Sequence, residues 1–407
     1  MKKDVSPRRI LILCFIGYVL AYLMRLNLSV VIPYIKTAEG YTNAQMGSLT
    51  GFFFLSYTCG QLLNGMIGDR VSAKIMVPVG LCGSALCSLA CALTHTPLWL
   101  SIFWTVNGYF QSMLWGPMVK TLSRWYPAEK LSRVSYIMAL SCVAGYVTCW
   151  GLASFLGSHF GWRTAFLAPL VPVAVYLALF LLLFRNRPEN HVSAPSSGKK
   201  AEPAAPLLPY LLKIRFPVLF LVSAVTGILR EGIGVWLPTV LEESGLIPSG
   251  TLWMVLLVIP LLNFAGTTSV QSVLRHNGQN SSLTLGLVLS LMAVLALVLK
   301  LSAALQVMVI LMLVLILASA NGITQILVSL IPFQNSSDGR VSFTASVLDF
   351  SIYCGAAFST AMTGRLSDGG DWTKVYLFWL IAAGVGTLSA WLWHTMKITS
   401  EKKEISQ

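Results

Sequence analysis

Apolar and polar positions in this chain fall into long blocks, not into the short alternation of a half-buried strand. Twelve apolar blocks of roughly twenty residues stand out: 10–35, 45–66, 76–94, 98–120, 134–156, 163–184, 214–240, 251–271, 281–299, 305–331, 342–363 and 374–396. About twenty apolar residues are what a helix needs to cross the hydrocarbon of a bilayer. In lipid each backbone N–H and C=O must find its partner inside the protein, which a helix provides. The pattern therefore predicts an all-α membrane protein with twelve transmembrane helices.

The polar stretches between the blocks set the organisation. The longest is 185–213, with Arg185, Arg187, Lys199 and Lys200 among Pro188, Pro195, Pro203 and Pro206. Such a polar, Pro- and Ser-containing stretch is a linker. It predicts an N-terminal six-helix bundle over 1–184, a cytoplasmic linker over 185–213, and a C-terminal six-helix bundle over 214–407 that ends in a short cytoplasmic tail. With both termini inside, the inner segments hold about 21 of the 28 Lys and Arg residues and the outer loops about 5. The positive-inside rule thus predicts cytoplasmic termini in a plasma membrane. Lys2, Lys3, Arg8 and Arg9 precede the first block as in a signal peptide. That block is too long for one and contains Arg25, so it is predicted as the first span.

Composition sharpens this picture without changing it. The chain has 407 residues, only 11% of them charged, and a mean hydropathy of +0.73. Soluble domains carry about 25% charged residues. The net charge of +13 is accounted for by inner loops facing anionic lipid, and no recognition motif points to nucleic acid. The eight cysteines lie in apolar blocks without metal-ligand spacing, as small packing residues do. No P-loop, metal cluster or nucleophile–base pair is present. The expectation is a protein that is not an enzyme, needs no cofactor or metal, acts as a monomer and has the lipid bilayer and a small anion as partners.

Two arginines interrupt this order. Arg25 and Arg230 lie inside apolar blocks, each eight residues before a proline, Pro33 and Pro238. A charge there costs ~3 kcal/mol or more, and a guanidinium does not escape it by losing a proton. From Ile10, Arg25 is 15 steps into its block, or ~22 Å at 1.5 Å per residue. The surrounding motifs repeat. Asn107-Gly108-x-x-Gln111 recurs as Asn321-Gly322-x-x-Gln325, Arg133-Val134-Ser135 as Arg340-Val341-Ser342, and Trp162 as Trp372. Their common order predicts two pseudo-symmetric halves with a substrate near the midplane. Two planar forks suit a tetrahedral anion that accepts bidentate hydrogen bonds. Each arginine has a plainer role open to it, as half of an ion pair within a bundle; for Arg230, Glu231 and Asp349 are available.

Gly65-x-x-x-Asp69-Arg70-x-x-x-Lys74 resembles the signature loop of the major facilitator superfamily, where it acts as a cytoplasmic latch. Three stretches are similar to the organophosphate:inorganic phosphate antiporters, carriers of glycerol 3-phosphate or hexose 6-phosphate. They are Tyr22-x-x-Arg25-x-Asn27 with Pro33-Tyr34, Asn107 to Pro117, and Arg230-x-Gly232-Ile233-x-x-Trp236-x-Pro238. The resemblance implies the major facilitator fold and phosphate binding by Arg25 and Arg230. Two positions depart from it: Gln61 stands where glycerol-3-phosphate carriers have a lysine, and Ser141 where they have a histidine. The exact substrate and the coupling ion therefore stay open.

Tyr22, Asn107, Gln111, Asn321, Gln325, Asp349 and Tyr353 complete the candidate substrate-binding set. The four amides serve equally well as interhelical hydrogen-bond glue or as cavity lining. Asp349 can take up a proton, pair with Arg230 or orient a substrate hydroxyl. Glu231, ~100° round the helix from Arg230, fits structure or gating. The leading expectation is an alternating-access transporter that exchanges a phosphate ester for inorganic phosphate. An empty site with two arginines would be strongly positive and would favour obligatory exchange. A proton-coupled carrier of an organic acid or phosphonate that uses Asp349 is the alternative. A transporter-like receptor for a phosphorylated sugar is a third.

Overall fold

The structure, a computed structural model, describes residues 6–185, 207–334 and 341–405, and among them the fold is helical. The helices group into twelve stretches that follow the twelve apolar blocks. In the first half these are α1 (Pro7–Leu23) with α2 (Asn27–Glu39), α3 (Asn43–Arg70), α4 (Ala73–Leu93), α5 (Pro97–Gln111) with α6 (Trp115–Trp125), α7 (Ala128–Phe160), and α8 (Trp162–Leu167) with α9 (Leu170–Leu183). After the short α10 (Leu207–Lys213) come α11 (Phe216–Glu243), α12 (Leu252–His276), α13 (Ser281–Leu301) and α14 (Gln306–Gln325). A π-helical turn, Ile326–Leu330, joins α14 to α15 (Ile331–Gln334), and α16 (Val341–Leu366) and α17 (Thr373–Ile405) close the chain. Most of the expected linker and Arg340 lie outside the described residues.

Nine of the helical stretches among the described residues are long and apolar enough to cross a membrane. The other three have physical reasons to read less clearly. The pair α5 and α6 is split by a break, α3 carries Ser, Thr, Asn and Gln along its length, and α16 carries Ser and Thr with Asp349. Proline supplies the first turn of α1, α5 and α11, where its missing N–H costs nothing. Side-chain caps start others: Ser72 Oγ accepts from the Lys74 N–H at 3.1 Å, and Asn280 Oδ1 from the Leu283 N–H at 3.1 Å. Large apolar side chains such as Leu182, Leu301 and Leu388 are more than 70% exposed. On a protein in lipid these are the surfaces that acyl chains cover.

The helices divide into two compact units. The first holds α1, α2, α3 from Phe52, α4 to α9, and the start of α12 up to Pro260. The second holds residues 42–51, α10, α11, α12 from Leu261, and α13 to α17. Relative to the expected halves, 1–184 and 214–407, one stretch has thus changed sides in each direction. Small residues account for it. Gly47 and Gly51 bring the start of α3 against Thr360 and Ala357 of α16, and Asn43 Nδ2 donates to the Ser367 carbonyl at 2.9 Å. In the first unit Gly151 of α7 faces Leu257, and Phe155 meets Trp253 edge-on with centroids 5.9 Å apart. Without side-chain bulk, helices in a membrane approach closely.

Each unit has its own core. Trp104, Trp150 and Phe166 are fully buried in the first, Trp236 and Trp379 in the second. In the second unit α11 and α16 interlock reciprocally, Gly227 against the Ile352 carbonyl and Gly355 against the Ala224 carbonyl.

Candidate functional site

In the first unit Arg25 lies where the first span loses its helix. Leu23 is the last residue of α1 and Asn27 the first of α2; Met24, Arg25 and Leu26 form a turn between them. No Pro or Gly occupies 24–26, and Pro33 is a full two turns downstream. Side chains from other helices hold the break by taking its carbonyls. Asn107 Nδ2 of α5 donates to the Met24 carbonyl at 2.8 Å, and Gln111 Nε2 to the Ala21 carbonyl at 3.1 Å. From α7 the Cys149 thiol points at the Leu23 carbonyl, 3.8 Å away. Beyond the turn, Asn27 Oδ1 accepts from the Leu28 N–H at 3.0 Å, and Asn27 Nδ2 reaches the Ala165 carbonyl at 3.2 Å. A side chain inserted into the i→i−4 ladder is a recognised cause of such a break.

Aromatic rings surround the guanidinium. The Arg25 Cζ lies 4.1 Å from the centroid of the Tyr57 ring and 5.8 Å from that of Tyr22. Ring faces carry negative potential and attract a cation. Tyr22 in turn packs against Tyr18 and Tyr146, with centroids 5.2 and 5.3 Å apart, and Tyr18 against Trp115 at 4.6 Å. A Cβ at position 145 would press on Tyr22, so Gly145 makes its room. Gln61 Nε2, one turn along α3 from Tyr57, donates to the Tyr57 hydroxyl at 3.2 Å. The position where glycerol-3-phosphate carriers have a lysine thus serves here to fix the ring under Arg25. Ser141, at the place of their histidine, is buried and turns its hydroxyl back to the Met138 carbonyl.

In the second unit Arg230 sits in the middle of α11, which continues unbroken from Phe216 to Glu243. Its Nε donates to Glu231 Oε1 at 2.9 Å, and its Nη2 donates to the same oxygen. The sequence left the ion pair within a bundle open for Arg230; the structure forms it with Glu231, and the arginine's length spans the ~100° between them. The Tyr353 ring of α16 lies 5.8 Å from the Arg230 Cζ, and Asp349 sits one turn before Tyr353 on the same helix.

The repeated amides are used differently here. Asn321 Nδ2 donates at 2.8 Å to the Leu317 carbonyl of its own helix. Gln325 is exposed and accepts from the Ser329 hydroxyl at 3.5 Å. The repeat is visible in the backbone all the same: α5 stops at Gln111 and α14 at Gln325, where a turn follows in one and a π-helical turn in the other. It is visible in the ties as well. Trp162 Nε1 donates to Glu39 at the end of α2, at 3.3 Å, and Trp372 Nε1 to Glu243 at the end of α11, at 2.8 Å. Arg163 adds a second donor to Glu39 at 2.8 Å.

The latch residues flank the turn from α3 to α4. Gly65 faces open space, Arg70 is the last residue of α3, and the Lys74 N–H meets the Ser72 cap. The Asp69 side chain lies outside what the structure describes. Lys120 of α6 donates to the Gly68 carbonyl at 2.8 Å, a cation at a helix C-terminus.

Sequence reasoning missed Tyr57 and Tyr146, and Glu39 and Glu243 as the partners of the repeated tryptophans. A signal was present for Tyr57, because Tyr57 and Gln61 share a face of α3 at i and i+4.

Known proteins agree with this architecture. The chain is 25% identical over 282 residues to the glycerol-3-phosphate transporter of Bacillus subtilis, covering 62% of each. It is 24% identical over 196 residues to a probable hexose phosphate transport protein of Chlamydia pneumoniae, covering 48% of this chain and 43% of that one. The match therefore spans between about two-fifths and three-fifths of these relatives' length. Both carry the functions named in the sequence resemblance. Among solved structures, an inward-facing, unoccupied bacterial homolog of the human lysosomal transporter Spinster superposes with a TM-score of 0.79 at 15% identity, covering 96% of this chain and 98% of that one. The profile of the Major Facilitator Superfamily, transporters and not enzymes, matches residues 14–358, and the chain is a multi-pass membrane protein that belongs to this family.

Proposed function

We propose that the protein carries a small organic anion, a phosphate ester exchanged for inorganic phosphate, by alternating access. The observation that carries this is a pair of arginines at matching places in the repeat, both inside spans, one held on a helix break among tyrosines. Arg25 and Arg230 present their guanidinium forks to the phosphoryl oxygens, with Tyr22 and Tyr353 alongside. Asn107 and Gln111 act on the anion through the break they hold. Asn321, Gln325 and Asp349 face the rest of the substrate, and Asp349 meets a hydroxyl. Gly65, Asp69, Arg70 and Lys74 form the cytoplasmic latch. The membrane is the plasma membrane, with both termini in the cytoplasm.

The named functions of the relatives support the substrate class, and the apolar depth of both arginines supports the anion. Purified protein in proteoliposomes is expected to exchange internal radiolabelled phosphate for external glycerol 3-phosphate or a hexose 6-phosphate. Arg25→Lys and Arg230→Lys are each expected to abolish that exchange while the purified variant stays monodisperse. Exchange at the wild-type rate in either variant would sink the two-arginine site. Uptake of an organic acid driven by a pH gradient, with no phosphate counterflow, would replace it with the proton-coupled carrier.

A further inference from the structure

We infer that Glu231 is the counter-charge with which Arg230 crosses the membrane when no anion is bound, so that the proposed exchange is preferred but not obligatory. Two bare arginines would make the empty carrier strongly positive and hold it until an anion arrived. The structure alters that count. Two of the five guanidinium N–H donors of Arg230, on Nε and Nη2, converge on one Glu231 oxygen. Both side chains are largely withdrawn from solvent, 14% and 8% exposed. Glu231 is the next residue on the same unbroken helix. The pair is therefore neutral as a unit and moves as part of α11, so no rearrangement of helices separates the two charges.

Arg25 is covered in another way, by the Tyr57 ring at 4.1 Å and the Tyr22 ring at 5.8 Å. Ring faces stabilise a desolvated cation. Each arginine thus brings its own compensation from its own unit. An anion that binds Arg230 has to draw the fork away from Glu231, which lowers affinity but leaves the return of the empty carrier open. Removing Glu231 reverses both effects, because it takes away the carboxylate on which two Arg230 donors converge.

This inference rests on the carriage of phosphate proposed above, and the test separates the two. Proteoliposomes loaded with radiolabelled phosphate are diluted into buffer that either contains glycerol 3-phosphate or contains no anionic substrate. The wild type is expected to release phosphate in both, with net efflux within about tenfold of exchange, which corresponds to ~1.4 kcal/mol in barrier. In Glu231→Gln the ratio of net efflux to exchange is expected to fall at least a further ~10-fold, and Glu231→Asp is expected to restore it. A purely structural glutamate would lower both rates together and leave the ratio unmoved.

Wild-type release that requires the external ester would overturn the inference while leaving the phosphate carrier intact. A ratio in Glu231→Gln equal to that of the wild type would do the same. Should Glu231→Gln fail to fold, the wild-type ratio alone decides. Absence of both efflux and exchange in the wild type would remove the phosphate reading, and this inference with it.

Discussion

Arg25 and Arg230 occupy matching places in an internal repeat, yet the protein accommodates them in opposite ways. Around Arg25 the backbone changes: the helix is interrupted at 24–26, and amides from α5 take over its carbonyls. Around Arg230 the backbone stays helical and the charge is answered instead, by Glu231 on the next residue. The contrast shows that a membrane-buried cation can be stabilised through rings and a fixed backbone turn, or through a carboxylate carried beside it. A matching sequence position does not decide which.

The sharpest way to break this comparison is to remove the repeated asparagines one at a time. Asn107→Leu forfeits the bond to the Met24 carbonyl and leaves that acceptor buried. The expected loss is ~1–3 kcal/mol of stability, read as a lowered midpoint in a detergent thermal melt, with a raised KM for exchange. Among the described residues the Asn107 Oδ1 has no hydrogen-bond partner, so the substitution tests this one bond. Asn321→Leu gives up only a bond to its own helix, and its melt is expected to stay within about 0.5 kcal/mol of the wild type. Equal shifts in the two would show that the break does not depend on α5.

The ring under Arg25 offers a smaller effect. Tyr57→Leu is expected to raise the KM for phosphate about 5- to 30-fold, from the ~1–2 kcal/mol of a desolvated cation–π contact. Tyr57→Phe keeps the ring and is expected to lie close to wild type. If Phe proves as damaging as Leu, the hydroxyl and its bond to Gln61 matter more than the ring face.

The tryptophan–glutamate ties should respond least. Trp372→Phe removes the indole donor to Glu243, for a loss of ~1 kcal/mol in the same melt. Trp162→Phe is expected to cost less, because Arg163 still donates to Glu39 at 2.8 Å. The reverse order would mean that Arg163 does not substitute for the indole.

How much of this was legible in the sequence follows from the range of each interaction. The spans were legible because lipid imposes a length and a composition on each helix by itself. The repeat was legible because Asn107 and Gln111, Asn321 and Gln325 keep their spacing. The helix break was not. Residues 24–26 contain no Pro or Gly, and its cause lies 83 and 90 residues away, in Asn107 and Gln111. The Arg230–Glu231 pair was one of two ion pairs the sequence left open, and the structure forms it because the arginine's length spans the ~100° between neighbouring helix positions. The exchange of residues 42–51 and 248–260 between the units depends on which small residues meet, which hydropathy does not record.

The central claim is that Arg25, fixed on its turn, binds a phosphate-bearing anion. The most direct measurement is the thermal stability of the purified protein titrated with inorganic phosphate and with glycerol 3-phosphate, for wild type and Arg25→Lys. A ligand that binds only the folded state stabilises it by mass action, by ~2.7 kcal/mol at a hundred times its Kd. The wild type is expected to gain stability saturably with both ligands, and Arg25→Lys to gain none at the same concentrations. Equal stabilisation of the two proteins would contradict the claim.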